Sequence, residues 1–160
     1  MANVKTNAMR ILDKAGVYYQ IYSYDASDEQ IDGISVAQKV GRPVEQVYKT
    51  LVAQGTSREY YVFIIPVASE LDLKAAARAV GEKAVQMIKV ADINKVTGYI
   101  RGGCSPLGMK KAYKTILDNS CSELETIIVS AGKIGYQIEL LPKDLLGLIG
   151  GKIEDITANG

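Results

Sequence analysis

The sequence predicts a mixed α/β fold: a mixed β-sheet or partly closed barrel surrounded by helices. Three observations lead there. Runs rich in β-branched and aromatic residues outnumber long helical patterns. The helical stretches are short and close at a glycine. Strands and helices do not alternate strictly, which argues against a doubly wound parallel sheet. With 160 residues, 48% of them hydrophobic and 23% charged, the chain is long enough to bury one core, so a single domain over residues 1–160 is expected.

Ala8 to Ala15 carries apolar residues at helical spacing, with Thr6 or Asn7 as cap and Gly16 as stop. Val17 to Tyr24 reads as a strand and Asp25 to Gly33 as a polar loop. Ser35 to Val40 predicts a short helix ended by Gly41. Val47 to Ala53 and Tyr60 to Pro66 are strand-like runs joined by a hairpin-sized connection. Asp72 can cap an alanine-rich helix from Leu73 to Val80, closed by Gly81, and Ala91 to Val96 predicts a further short helix. Tyr99 to Arg101 reads as a strand, as do Thr115 to Leu117, Thr126 to Ser130 and Tyr136 to Leu140. Pro142 opens a last helix that ends at Gly150-Gly151.

Composition removes several function classes. The chain has no histidine, so a Ser/His/Asp or Cys/His nucleophile, a histidine base and a histidine-bearing zinc site are all excluded. Its two cysteines, Cys104 and Cys121, do not complete a thiolate cage, and no metal or cofactor is expected. No secretory leader precedes them and no apolar run reaches the roughly 18 residues of a membrane span, so a cytoplasmic protein without a membrane partner is expected. A formal charge of +1 offers no general nucleic-acid signal and no sign of a DNA partner. Locally, however, Lys95, Arg101, Lys110, Lys111 and Lys114 fall in a stretch without Asp or Glu. That stretch is either a solvated face or the place where an anionic ligand binds.

Three segments can carry chemistry. Strand alternation puts Lys49 on the face of Val47, Leu51 and Ala53, where an ammonium is unfavourable unless it meets an anion. If the opposite face is the buried one, Lys49 instead snorkels to water. Gly102-Gly103-Cys104-Ser105-Pro106-Leu107-Gly108, followed by Lys110-Lys111, resembles an anion cradle, since glycines let backbone amides approach a ligand. Its spacing is neither that of a Walker loop nor that of a dinucleotide fingerprint, and a plain Gly/Pro turn is the alternative. The loop Ser130-Ala131-Gly132-Lys133-Ile134-Gly135 is a hairpin turn or a second wall of the same cleft. Cys104 is better read as an inert small thiol than as a nucleophile, having no histidine to activate it.

Taken in order, Val47-Tyr48-Lys49-Thr50-Leu51, Leu71-Asp72-Leu73-Lys74, Thr97-Gly98-Tyr99, the 102–108 loop with Lys110-Lys111, and Val129-Ser130-Ala131-Gly132-Lys133 resemble the YbaK/EbsC proteins. These are bacterial aminoacyl-tRNA deacylases related to the editing insertion domain of prolyl-tRNA synthetases. The resemblance runs nearly end to end. It implies that fold and a trans-editing activity on mischarged tRNA, above all Cys-tRNA(Pro), with prolyl-tRNA synthetase as a natural helper. It also implies that the substrate's own thiol attacks its ester carbonyl and leaves as a thiolactone, a scheme suited to a histidine-free chain.

By the same resemblance Lys49 is the essential lysine and holds the terminal adenosine or its phosphate. Tyr24 and Ser130 line the amino-acid pocket, and Gly102 and Gly103 offer backbone groups to the ester. Ile31, Thr50, Ser105, Gly132 and Gln137 complete the expected substrate-binding set, and Arg101, Lys110, Lys111 and Lys114 the expected tRNA-binding patch. Ala131 stands where relatives often have glycine, Gln137 where they often have an acid, and Cys104 where an aliphatic residue is usual. The 25–33 loop is short and offers Ile31 or Asp32 where a pocket aromatic is common. These departures leave room for another small acyl group such as alanine, or for a tRNA-end or nucleotide binder without turnover.

Overall fold

The computed structural model describes residues 4–158; the ends of the expected domain, 1–3 and 159–160, lie outside the described residues. The chain is mixed α/β, as the sequence predicts, and its sheets do not close into a barrel. Helix α1 (Asn7–Ala15) starts where the Thr6 side chain accepts from the Met9 N–H at 3.2 Å, and it stops at left-handed Gly16. Asp32 caps α2 (Gly33–Val40) through the Ser35 N–H, and Asp72 caps α3 (Leu73–Val80). α4 (Ile93–Thr97) and α5 (Pro142–Ile149) complete the helices among the described residues.

A five-stranded mixed sheet forms the centre, in the order β5 (Val85–Met87), β2 (Tyr48–Gly55), β3 (Tyr60–Pro66), β6 (Lys114–Asp118), β9 (Lys152–Glu154). β2 and β3 form the expected hairpin, with Lys49 opposite Ile65 and Leu51 opposite Phe63, whereas β6 and β9 run parallel to their neighbours. A second, antiparallel sheet orders β1 (Gln20–Ser23), β8 (Tyr136–Leu140) and β7 (Ile127–Ser130). A parallel bridge between Val47 and Ile128 joins the two sheets, and β4 (Glu70–Leu71) pairs with β10 (Thr157–Ala158).

The main core lies between the sheets: Tyr48, Val52, Ile64 and Leu117 meet Ile127, Val129, Ile138 and Leu140, closed by Met9 and Leu12 of α1 and Leu145 of α5. The other face of the central sheet packs Ala53, Phe63, Ile65 and Ile116 against Ala76, Ala77 and Val80 of α3. A small third cluster joins Ala37 of α2 to Val47, Val67 and Ile128. Each large side chain removed from water here contributes about 1.5–3 kcal/mol.

Two sequence expectations are corrected. Tyr99 to Arg101 is not a strand but the approach to a turn, in which the Gly103 N–H donates to the Ile100 carbonyl at 2.9 Å. The strand expected over Val17 to Tyr24 is confined to Gln20–Ser23, the residues that pair with Tyr136 to Glu139 of β8. The choice of a buried face for β2 also resolves differently, since both faces are covered and Lys49 is half-buried at the end of the α3 side.

Candidate active site

A cleft of about 920 Å³ opens where the edge of β2 is left uncovered between β5 and β7. β5 pairs with β2 only from Ala53 to Gly55, and the Ile88 N–H to Val52 carbonyl bond, 3.2 Å, is the last link. The Val47 carbonyl and the Gly55 N–H bond toward the β3 side, so alternation turns the main-chain N–H and C=O of Thr50 the other way, into the cleft. The Thr50 Oγ1 is buried without a hydrogen-bond partner. A strand edge with an orphan hydroxyl is thus the floor of the cleft, a place that rewards a polar ligand.

Lys49 adds charge to this floor. Its ammonium makes no hydrogen bond or salt bridge with any described residue. Burial pushes its ammonium below the ordinary lysine value, and the charge of Glu70 offsets part of that shift. Gly102 and Arg101 form a facing wall; Gly102 has φ +87, and a Cβ there would stand 2.7 Å from the Ile31 Cδ1, so the Ile31 tip lies directly over this glycine. Ser130 and Gln137, opposite each other on β7 and β8, supply the inner end. The Ser130 Oγ accepts from the Gly132 N–H at 3.2 Å, leaving its hydroxyl proton free to donate.

The cleft therefore brings together Lys49, Thr50, Ile31, Arg101, Gly102, Ser130 and Gln137 from segments far apart in sequence. Other residues singled out in the sequence stand elsewhere. Tyr24 does not line the cleft, and its Oη is buried without a partner among the described residues. Gly103 packs on the Ile134 backbone, Gly132 lies against the Tyr99 ring, and Ser105 is fully buried with its Oγ accepting from the Leu107 N–H. The basic stretch is divided: only Arg101 reaches the cleft. Lys110 lies along Gly98 and donates to the Lys95 carbonyl at 3.3 Å, Lys111 borders a separate depression of about 240 Å³, and Lys114 is exposed at the start of β6. Sequence reasoning missed the outer wall made by Met87, Ile88 and Val90, which no motif marks in the sequence; in the fold Met87 and Val90 stay 43% and 57% exposed.

The cleft lacks an activated nucleophile. Burial pushes the Cys104 thiol up to about 11, with a smaller opposing contribution from a hydrogen bond with Thr97, so it is protonated at neutral pH. Among the described residues no three Cys, Asp or Glu side chains gather to hold a metal ion, and no helix is long and apolar enough to cross a membrane.

Below the cleft the Glu139 carboxylate ties the two sheets. It accepts from Tyr22, Thr126 and Gln46 and faces Arg42 at 3.4 Å, in a site where its side chain is 11% exposed. Burial alone raises its pKa, but the hydrogen bonds from Thr126 and Tyr22 and the Arg42 charge outweigh that and leave it below the ordinary glutamate value. Gln46 leads into β2 and Glu139 lies two residues beyond Gln137, so this knot fixes the floor against the inner wall.

Cations that form no salt bridge with any described residue, set over an open strand edge, suit an anionic ligand, and comparison with known proteins gives the class. The model of the aminoacyl-tRNA editing domain matches residues 29–148, and the chain belongs to that family. It is 44% identical, over 96% of its length and 93% of the relative's, to the protein named "Putative Cys-tRNA(Pro)/Cys-tRNA(Cys) deacylase EbsC" from Enterococcus faecalis. It is 26% identical over 109 residues, 68% of this chain and 69% of the relative, to the uncharacterized protein YwhH of Bacillus subtilis. The solved structure described as a putative trans-editing enzyme for prolyl tRNA synthetase superposes with a TM-score of 0.82 at 25% identity, covering 98% of this chain and all of that one. The fold is the YbaK-like trans-editing fold.

Proposed function

We propose that the protein is a trans-editing deacylase that clears mischarged tRNA, with cysteine on the proline tRNA as its main substrate and Cys-tRNA(Cys) as a second. The observation that carries this reading is a cleft with two cations, Lys49 and Arg101, that form no salt bridge with any described residue, beside a thiol that is not activated. Such a site can grip the terminal adenosine and its phosphate, and it suits a substrate that brings its own attacking group. Cysteine brings one. Its Sγ attacks its own ester carbonyl, the C–S bond forms as the bond from the carbonyl carbon to the 3′ oxygen breaks, and the thiol proton passes to that oxygen. The products are cysteine thiolactone and tRNA with a free 3′-hydroxyl.

The protein supplies orientation and charge stabilisation. Lys49 holds the adenosine end, the backbone at Gly102 meets the ester, and Ser130 and Gln137 receive the acyl group. Arg101 supplies the contact to the acceptor end at the cleft, and Lys110, Lys111 and Lys114 lie farther along the tRNA. Prolyl-tRNA synthetase is the natural source of the substrate.

Single-turnover deacylation of tRNA charged with cysteine, alanine or proline tests the proposal. Rapid loss of cysteine with proline spared is the expected result. Faster loss of alanine moves the specificity to another small acyl group, and protection of every ester identifies a binder without turnover; either outcome overturns the reading.

A further inference from the structure

Lys39, on α2, stands outside the cleft lining yet meets three acceptors at once. Its Nζ donates to the Asp25 carbonyl at 2.6 Å, to Asp28 Oδ1 at 2.7 Å and to the Gln30 carbonyl at 3.0 Å. An ammonium has three N–H donors, so this one is saturated. It also sits 5.8 Å from the centroid of the Tyr24 ring. All three acceptors belong to the loop that follows Tyr24 and leads to α2.

Apart from the Asp32 cap and the packing of Gly33 on Val67 at its far end, that loop has little else to hold it. None of residues 25–34 belongs to an apolar core cluster. Its own bonds are local: the Ser27 N–H to Asp25, the Gln30 N–H to Asp28, and the Glu29 and Ile31 amides to carbonyls two or three residues back. Glu29 has φ +63, a left-handed conformation that disfavours a side chain. A segment with few apolar contacts and a strained residue opens easily unless something fastens it. Yet it carries Ile31, whose tip covers Gly102, and Glu29 and Asp32, which also border the cleft.

We propose that Lys39 is a positioning residue for the cleft: the cation at the centre of the 25–33 loop that holds Ile31 over the Gly102 turn and so shapes the wall against the acyl group. What the wall touches rests on the deacylase reading; the fastening itself does not. A compact tetrahedral ammonium fits three converging acceptors, whereas the planar fork of arginine does not, so Lys39→Arg restores the loop only in part.

The test uses the full chain. Lys39→Met, with Lys39→Arg beside it, is measured by hydrogen exchange of the 25–33 segment and by single-turnover release of cysteine from Cys-tRNA(Pro) at saturating enzyme. In Lys39→Met the loop amides exchange about tenfold faster while the core strands keep their protection. The release rate falls roughly 10- to 100-fold, as expected when a reacting group is misplaced by about 1 Å, and tRNA affinity stays within twofold. Lys39→Arg falls between. Unchanged exchange refutes the fastening, and faster exchange with an unchanged rate refutes its link to the cleft. A wild-type protein that releases no cysteine sinks the deacylase reading alone, because the exchange result still stands. Should Lys39→Met lose its fold, Asp28→Asn, which weakens one of the three contacts at an exposed carboxylate, is read by the same two measurements against the same criteria.

Discussion

Replacing Lys49 by methionine keeps an unbranched apolar stem out to Cε and removes the ammonium. Two consequences of opposite sign follow. A hydrogen bond from an ammonium to a phosphate or ester oxygen is worth about 1.5–3 kcal/mol, and at 1.36 kcal/mol per decade its loss lowers kcat/KM by roughly 10- to 150-fold. Stability moves the other way. The folded-state pKa of Lys49 lies below its ordinary value of 10.5, so the charged form is less comfortable folded than unfolded. That penalty is fully present below the folded pKa and fades as pH rises through it toward 10.5. The ammonium is half-buried and keeps part of its water, so methionine raises stability modestly at pH 7, and the advantage shrinks at pH 10. Single-turnover deacylation and urea denaturation at the two pH values read both effects. Turnover within threefold of wild type, or a variant clearly less stable than wild type at pH 7, refutes the reasoning.

Two further perturbations probe the walls and their support. Gly102→Ala forces a side chain onto a backbone with φ +87 and sets its Cβ 2.7 Å from the Ile31 tip; a loss of about 1–2 kcal/mol and a displaced Ile31 are expected, and an unaltered Tm with an unaltered rate contradicts both. Glu139→Gln weakens the knot between the sheets and costs about 1–3 kcal/mol at neutral pH. Because the folded pKa of Glu139 is depressed, its contribution is present above the unfolded value near 4.5 and is lost as pH falls through the folded pKa. Stability of the glutamine variant is therefore flatter on the acid side, and denaturant melts from pH 7 down to pH 3 show whether the two curves converge.

What could be read from the sequence was local. The caps at Thr6 and Asp72 and the stops at Gly16, Gly41, Gly81 and Gly150 act within a turn of their own helices, so α1, α2, α3 and α5 were visible. The β2–β3 hairpin was visible through its paired apolar runs. β4, β5, β9 and β10 have two or three residues each and exist because a neighbouring strand receives them, which no short window of sequence reveals. Tyr99 to Arg101 has strand-like composition but no neighbour to pair with, and it became a turn instead. At the site, alternation put Lys49 on an apolar face but not at an open edge, since that depends on where β5 stops. The basic stretch looked continuous because its residues are close in the chain; folding sends Arg101 to the cleft and Lys111 to another depression.

The cleft has a division of labour that follows from its construction. Its floor is a strand locked into a sheet covered on both sides, while the wall made by Ile31 and Gly102 is a short loop and a turn tied to the rest by a few contacts. On the deacylase reading, exchanges at the Ile31 tip can thus retune which cargo is accepted without disturbing the strand beneath, so a lineage of such proteins can diversify in what it discards while inheriting one unaltered way of discarding it.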